Sequence, residues 1–213
     1  MRHVHRLCAA LATGVLVILT TGAPNANASD GNPFLVAADP AGDLTNVMGE
    51  TVDVPDARGL DILRVRQRLV GNRLVVVSHH RNLTRANTNL DPDATVRGRN
   101  FSLFAAYVEP KPMALSEGYT LSFDAHRKLA ITDFQNQAEP VPCPVAAEQS
   151  RINLETDRVR YVVPVSCISG IRATRTTAQV IRYTVTGRDS GVERIEIAAM
   201  DMNEQATPRI ALR

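Results

Sequence analysis

The chain has 213 residues, 24 of them lysine or arginine and 22 aspartate or glutamate, so its formal net charge is only +2. Arg2 and Arg6, inside what reads as a leader, carry that excess and leave the remainder neutral. A neutral remainder lacks the broad positive footprint that nucleic acid or an anionic membrane surface selects, so neither is an expected partner.

In chain order, residues 1–28 read as a cleavable secretory signal. Arg2 and Arg6 make its positive start, Leu7 to Leu19 its apolar segment and Ala26-Asn27-Ala28 its small-residue cleavage site. The apolar segment falls short of the ~20 residues that cross a bilayer and no second one follows, so the mature form is expected to be secreted with no membrane span. Residues 29–213 contain no linker-like run and are expected to form one domain. Cys8 lies inside the leader, which leaves Cys143 and Cys167. An even count in an exported chain points to a disulfide between them, and no Cys-x-x-Cys spacing suggests redox chemistry.

Apolar periodicity in the remainder is two. Leu63, Val65, Gln67 and Leu69 alternate with Arg64, Arg66 and Arg68, Gly71-Asn72 supplies a two-residue turn, and Leu74, Val76 and Ser78 return on the same face. This register sets Leu69 against Leu74, Gln67 against Val76, Val65 against Ser78 and Leu63 against His80, with Arg64 beside His79 on the outer face. Further strands are expected at 101–109, 119–124, 128–132, 151–154, 159–165, 179–186 and 192–198, separated by turn-forming residues. Residues 144–151 have room for one or two helical turns, and 82–100 read as a polar, mobile loop. About nine strands without a long helix predict an antiparallel, jelly-roll-like β-sandwich with one disulfide.

The catalytic inventory is thin. Three histidines follow the leader, His79, His80 and His126, without a Gly-x-Ser-x-Gly, His-Glu-x-x-His or P-loop pattern. Gly187-Arg188-Asp189-Ser190-Gly191 reads as a hairpin turn, not a protease nucleophile. Adjacent strand residues point to opposite faces, so His79 and His80 cannot grip one metal ion, and His80 is expected to be partly buried at the sandwich edge. Carboxylates gather at Asp39, Asp43, Glu50, Asp53, Asp56 and Asp61, with Asp91 and Asp93 later. Asp39 and Asp43 are the candidate calcium ligands, although their spacing is not that of an EF-hand; acidic turns without metal are the other reading, and no other cofactor is implied. Arg64, Arg66 and Arg68 form a basic stripe for an anionic polymer such as a teichoic acid or sulfated glycan, or else a solvated face paired with Glu193 and Glu196. There is no tryptophan, and the Phe and Tyr residues fall mostly in strand patterns that favour core packing.

Asp39-Pro40-Ala41-Gly42-Asp43, with Pro55-Asp56, the run 60–65 (Leu-Asp-Ile-Leu-Arg-Val) and the run 159–167 ending in Cys167, resembles a group of exported actinobacterial β-sandwich proteins. Similar openings occur in DOMON-like and family 9 carbohydrate-binding-like sandwiches. The resemblance covers most of residues 35–185. It implies a sandwich with Cys143 bonded to Cys167 and no enzymatic activity. Relatives often carry a tryptophan soon after the second cysteine where this chain has Ile171-Arg172, so no stacking role is expected there. The function expected is a secreted, non-catalytic binding module for an extracellular glycan, cell-wall polymer or protein, with its site in loops at one end. The rival is a purely structural envelope-associated domain without a small ligand.

Overall fold

The computed structural model describes residues 33–212 except 47, 52–53, 55–56, 91–99, 111–116, 135–139, 145–148, 190–191 and 204, with backbone alone at 185, 187–189 and 192–195. The leader expected at 1–28, Asp53, Asp56, Asp91, Asp93 and residues 145–148 of the helical turns expected at 144–151 lie outside the described residues.

Among the described residues, eleven strands form two antiparallel sheets. The first contains β1 (Leu35–Ala38), β2 (Ile62–Val70), β3 (Arg73–His80), β7 (Arg151–Asn153) and β8 (Arg158–Pro164), in the spatial order β1-β2-β3-β8-β7. The second contains β4 (Asn100–Glu109), β5 (Tyr119–Phe123), β6 (Leu129–Asp133), β9 (Ala173–Asp189) and β10 (Val192–Met202), in the order β10-β9-β4-β5-β6. β11 (Ile210–Ala211) pairs with the start of β9. All nine expected strands are present. β1 and β11, with 4 and 2 residues, are too short for alternation to reveal. β9 and β10 run further into the turn expected at 187–191, pairing Asp189 with Val192, so the chain still reverses within that span. Among the described residues no helix is long and apolar enough to cross a membrane.

The inner faces share one apolar cluster. Val65, Leu74, Val76, Tyr161 and Val163 come from the first sheet, and Phe104, Val108, Leu121, Ile131 and Val180 from the second. Burial of each such side chain contributes about 1.5–3 kcal/mol. Gly71 supplies the left-handed φ of +56° that the two-residue β2–β3 turn needs at its first position. The register is the expected one from Leu69–Leu74 to Arg64–His79, then shifts, so that Ile62 and not Leu63 opposes His80. A bulge between Ile62 and Arg64 turns the fully buried Ile62 inward.

Gln67 has no exposed surface and spans the two sheets. Its Nε2 donates to the carbonyls of Thr174 (3.2 Å) and Pro208 (2.8 Å), and its Oε1 accepts from the Thr176 hydroxyl (2.8 Å). The polar loop is also tied down over 82–90. Leu83 and Leu90 are buried, Thr84 and Asn87 bond reciprocally, and Arg182 Nη2 donates to the Ala86 carbonyl at 3.1 Å.

Cys143 and Cys167 are bonded, with Cα atoms 5.6 Å apart. The bridge closes about 25 residues, which chain entropy values at ~3.5 kcal/mol. Replacing both by serine is expected to lower Tm by about 7–14 °C for a chain of this size, measured by thermal melting against wild type. Gln67→Leu strands the buried Thr174 carbonyl and Thr176 hydroxyl and takes the donor from the Pro208 carbonyl, whose bond is only partly buried, and is expected to cost about 2–3 kcal/mol in denaturant melts; a loss below about 0.5 kcal/mol would show the network contributes nothing net.

Candidate functional site

Alternation on β2, β3, β8 and β7 places seven arginines on the outer face of the first sheet: Arg73, which opens β3 and donates to Gln149 Oε1 at 2.7 Å, and six that gather in adjoining rows. Cross-strand pairing builds two rows: Arg64 beside His79 beside Arg158, and Arg66 beside Val77 beside Arg160 beside Arg151. Arg68 follows, paired with Val75, which in turn opposes Val162. Val75, Val77 and Val162 form a small apolar cluster against Phe34, separate from the main core. The guanidinium carbons of Arg66 and Arg68 lie 4.5 and 4.4 Å from the Phe34 ring centroid. The result is a cleft of about 280 Å³, floored by valines and walled by Phe34, Arg66, Arg68, Arg158 and Arg160.

The electrostatics of this cleft are unfavourable in isolation. Burial, then the charges of Arg158, Arg64 and Arg68, holds Arg66 below the usual guanidinium range. Burial, Arg151 and Arg68 do the same to Arg160. The Nε atoms of Arg66, Arg68 and Arg160 are buried without a hydrogen-bond partner. The expected pairing with Glu193 and Glu196 does not occur, because both belong to β10 in the other sheet, where Glu196 meets Thr186. The neighbours of the β2 stripe are β1 and β3, with the β8 arginines one strand beyond, and among the described residues no carboxylate stands in these rows. A second, wider depression of about 790 Å³ shares Arg151 and Asn153 with the cleft and adds Arg85, Arg127 and one carboxylate, Glu155. The surface that continues over the β7 edge therefore carries three arginines against one glutamate. Arg151, Arg158 and Arg160 gave no sign in the sequence, since only the β3–β8 pairing brings them beside the stripe.

His79 and His80 point to opposite faces, as alternation requires. His79 lies under the arginines and burial, then Arg66, Arg64, Arg158 and His80, pushes it down to about 3. His80 is deep in the sandwich, only 3% exposed, not at its edge as expected. Its Nδ1 donates to the Leu60 carbonyl at 2.6 Å, so its Nε2 accepts from the Ser78 hydroxyl at 2.9 Å. Burial holds it at about 4.

The acidic residues separate by position. Asp39, Asp43 and Asp201 bring carboxylate oxygens within 4.8 Å of one another. Asp61, fully buried, stands behind them and accepts from Gly42 N–H at 2.9 Å. Asp201 was invisible to the sequence reading because it enters from the far end of β10; burial, with Asp39, Asp43 and Asp61, raises it to about 7. Glu50 lies apart, accepting from Asn46.

Aromatic rings are less buried than expected. Phe104, Phe123 and Tyr161 are core, but Phe101 stacks on Tyr183 (centroids 4.9 Å apart) and Tyr107 meets Phe134 (6.1 Å), all four only partly buried. A further cleft of about 340 Å³ joins Tyr119 and Phe134 to Arg172, Arg209, Glu117 and Asp133, with both signs of charge present. Comparison with family models, curated proteins and solved structures finds no match to this chain.

The unfolded chain protonates its histidines near 6.5, whereas His79 and His80 resist to about 3 and 4. Between pH 6.5 and 4 the unfolded state therefore binds more protons, and these two rings withdraw stability as pH falls. His79→Gln removes one contribution. Its Tm relative to wild type is expected to rise by a few degrees between pH 7 and pH 4.5, read from paired melts.

Proposed function

We propose that this protein is a secreted, non-catalytic β-sandwich module that binds an anionic extracellular polymer along the arginine face. The observation that carries this reading is the gathering of Arg64, Arg66, Arg68, Arg151, Arg158 and Arg160 on one sheet face, with no carboxylate in the same cross-strand rows among the described residues. Arg151 and Arg160 stand directly across from one another, and the others lie two residues apart along a strand or one strand away, so like-charge repulsion costs folding stability that an entering anion offsets. Guanidinium groups suit phosphate, sulfate and carboxylate because their forked donors match those oxygens.

A cleft of about 280 Å³ is below the usual range for a drug-sized ligand and suits one charged group or sugar unit. The shallow continuation past Arg151 to Arg85 and Arg127 gives the rest of a chain a basic path. The valine floor and Phe34 offer apolar contact to the carbon skeleton of the same unit. Secretion rests on the leader at 1–28, and the disulfide fits an oxidising compartment.

Binding to heparin, to a poly(glycerol phosphate) teichoic acid and to polygalacturonate separates sulfate, phosphate and carboxylate. For the tightest of the three, Arg66→Gln with Arg160→Gln is expected to weaken binding at least tenfold. The double variant should melt within about 2 °C of wild type or above it, because it relieves repulsion. Arg172→Gln, in the mixed-charge cleft, should bind as wild type does. Affinity should also fall steeply with salt. Unchanged binding by the double variant would overturn the assignment.

A further inference from the structure

We propose that Asp39, Asp43 and Asp201, with Asp61 behind them, form a Ca²⁺ site that ties the turn after β1 to both sheets. The three carboxylates come from two distant parts of the chain, the turn after β1 and the end of β10, and offer oxygens within 4.8 Å of one another, a spacing that one cation can span. Asp39 and Asp43 flank the turn leaving β1, Asp61 immediately precedes β2 in the same sheet, and Asp201 lies near the end of β10 in the other.

The backbone around these residues is fixed by contacts that involve no ion. Thr45 and Met200 exchange both backbone hydrogen bonds, at 2.9 and 2.7 Å. Gly42, at φ +87°, donates to Asp61 Oδ2, and Ile62 N–H donates to Asp201 Oδ2 at 2.5 Å. The turn is thus held against both sheets with its carboxylates converging.

An acidic cluster alone would be insufficient, and a second observation points to a ligand. Asp61 has no exposed surface; its Oδ2 serves Gly42 and faces Arg81 at 3.7 Å, while its Oδ1 is buried without a hydrogen-bond partner. Asp43 Oδ1 is likewise buried and unpartnered. A buried carboxylate oxygen without a donor is costly, and Asp61 directs its carboxylate onto the 39–43 turn. A hard cation between Asp39, Asp43 and Asp201 supplies what Asp43 Oδ1 lacks, and its charge offsets that of the buried Asp61 carboxylate, which is bonded to the same turn through Gly42. Oxygen-only ligands from a turn and two sheet edges suit the adaptable coordination of Ca²⁺, whereas Mg²⁺ demands near-ideal octahedral geometry.

The test uses the secreted protein stripped with chelator, at pH 7.5. Ca²⁺ at 1 mM is expected to raise Tm by several degrees, with calorimetry giving about one ion per chain, and the same concentration of Mg²⁺ to do much less. Asp43→Asn, in the turn, and Asp201→Asn, which retains an acceptor for Ile62 N–H, are each expected to abolish the shift. Arg64→Gln should keep it. No calcium shift in wild type, or a shift that survives in both aspartate variants, would overturn the site. An equal response to Mg²⁺ would overturn the assignment to Ca²⁺.

Discussion

The register of β2 against β3 is the constraint on which the rest depends. Successive strand residues face opposite sides, so a slip of one residue would send Arg64, Arg66 and Arg68 into the core and bring Val65, Gln67 and Leu69 to the surface. Gln67 makes that slip especially costly. Its amide is satisfied by three groups on the opposite layer, so register within one sheet and alignment between the two are set by the same side chain. The outer arginine face follows from this buried amide.

Polar bonds between or beneath the layers recur elsewhere. Asp201 on β10 holds Ile62 N–H at the start of β2, Asn203 holds Ala178 N–H, and Arg182, 3% exposed, meets Ser102 inside the second sheet. Each removes a freedom that apolar packing leaves open, since valine and leucine faces slide at little cost whereas an unpaired buried donor does not. The same need for exact partners explains why the turn after β1 is held in place before any ligand is considered.

Charge is segregated although residues 29–213 are neutral as a whole. Arginines crowd one sheet face while aspartates converge beside the turn that leaves β1. Both groupings raise the energy of the unliganded fold by like-charge repulsion and by burial, which displace Arg66 and Arg160 downward and Asp201 upward. Stability lost in this way is characteristic of surfaces arranged for an oppositely charged partner. Net charge is an integral over the molecule and carries no information about such separation.

The sequence by itself determined the all-β class, nine of the strands, the β2–β3 hairpin register down to Arg64–His79, the opposite directions of His79 and His80 and the one disulfide. These depend on contacts near in sequence, or on period-two alternation, or on a cysteine count that left a single pairing. Only the tertiary structure decided which strands neighbour which. The β3–β8 pairing brought Arg158 and Arg160 to the stripe across some 80 residues, and closure of the sandwich brought Asp201 to Asp39 and Asp43. It also removed Glu193 and Glu196 to the other sheet and shifted the register at Ile62. The physical reason is common to all of these. Local periodicity specifies which face of a strand is buried, but the partner across the ladder is chosen by the packing of the whole core, and both charged groupings are made of such partners.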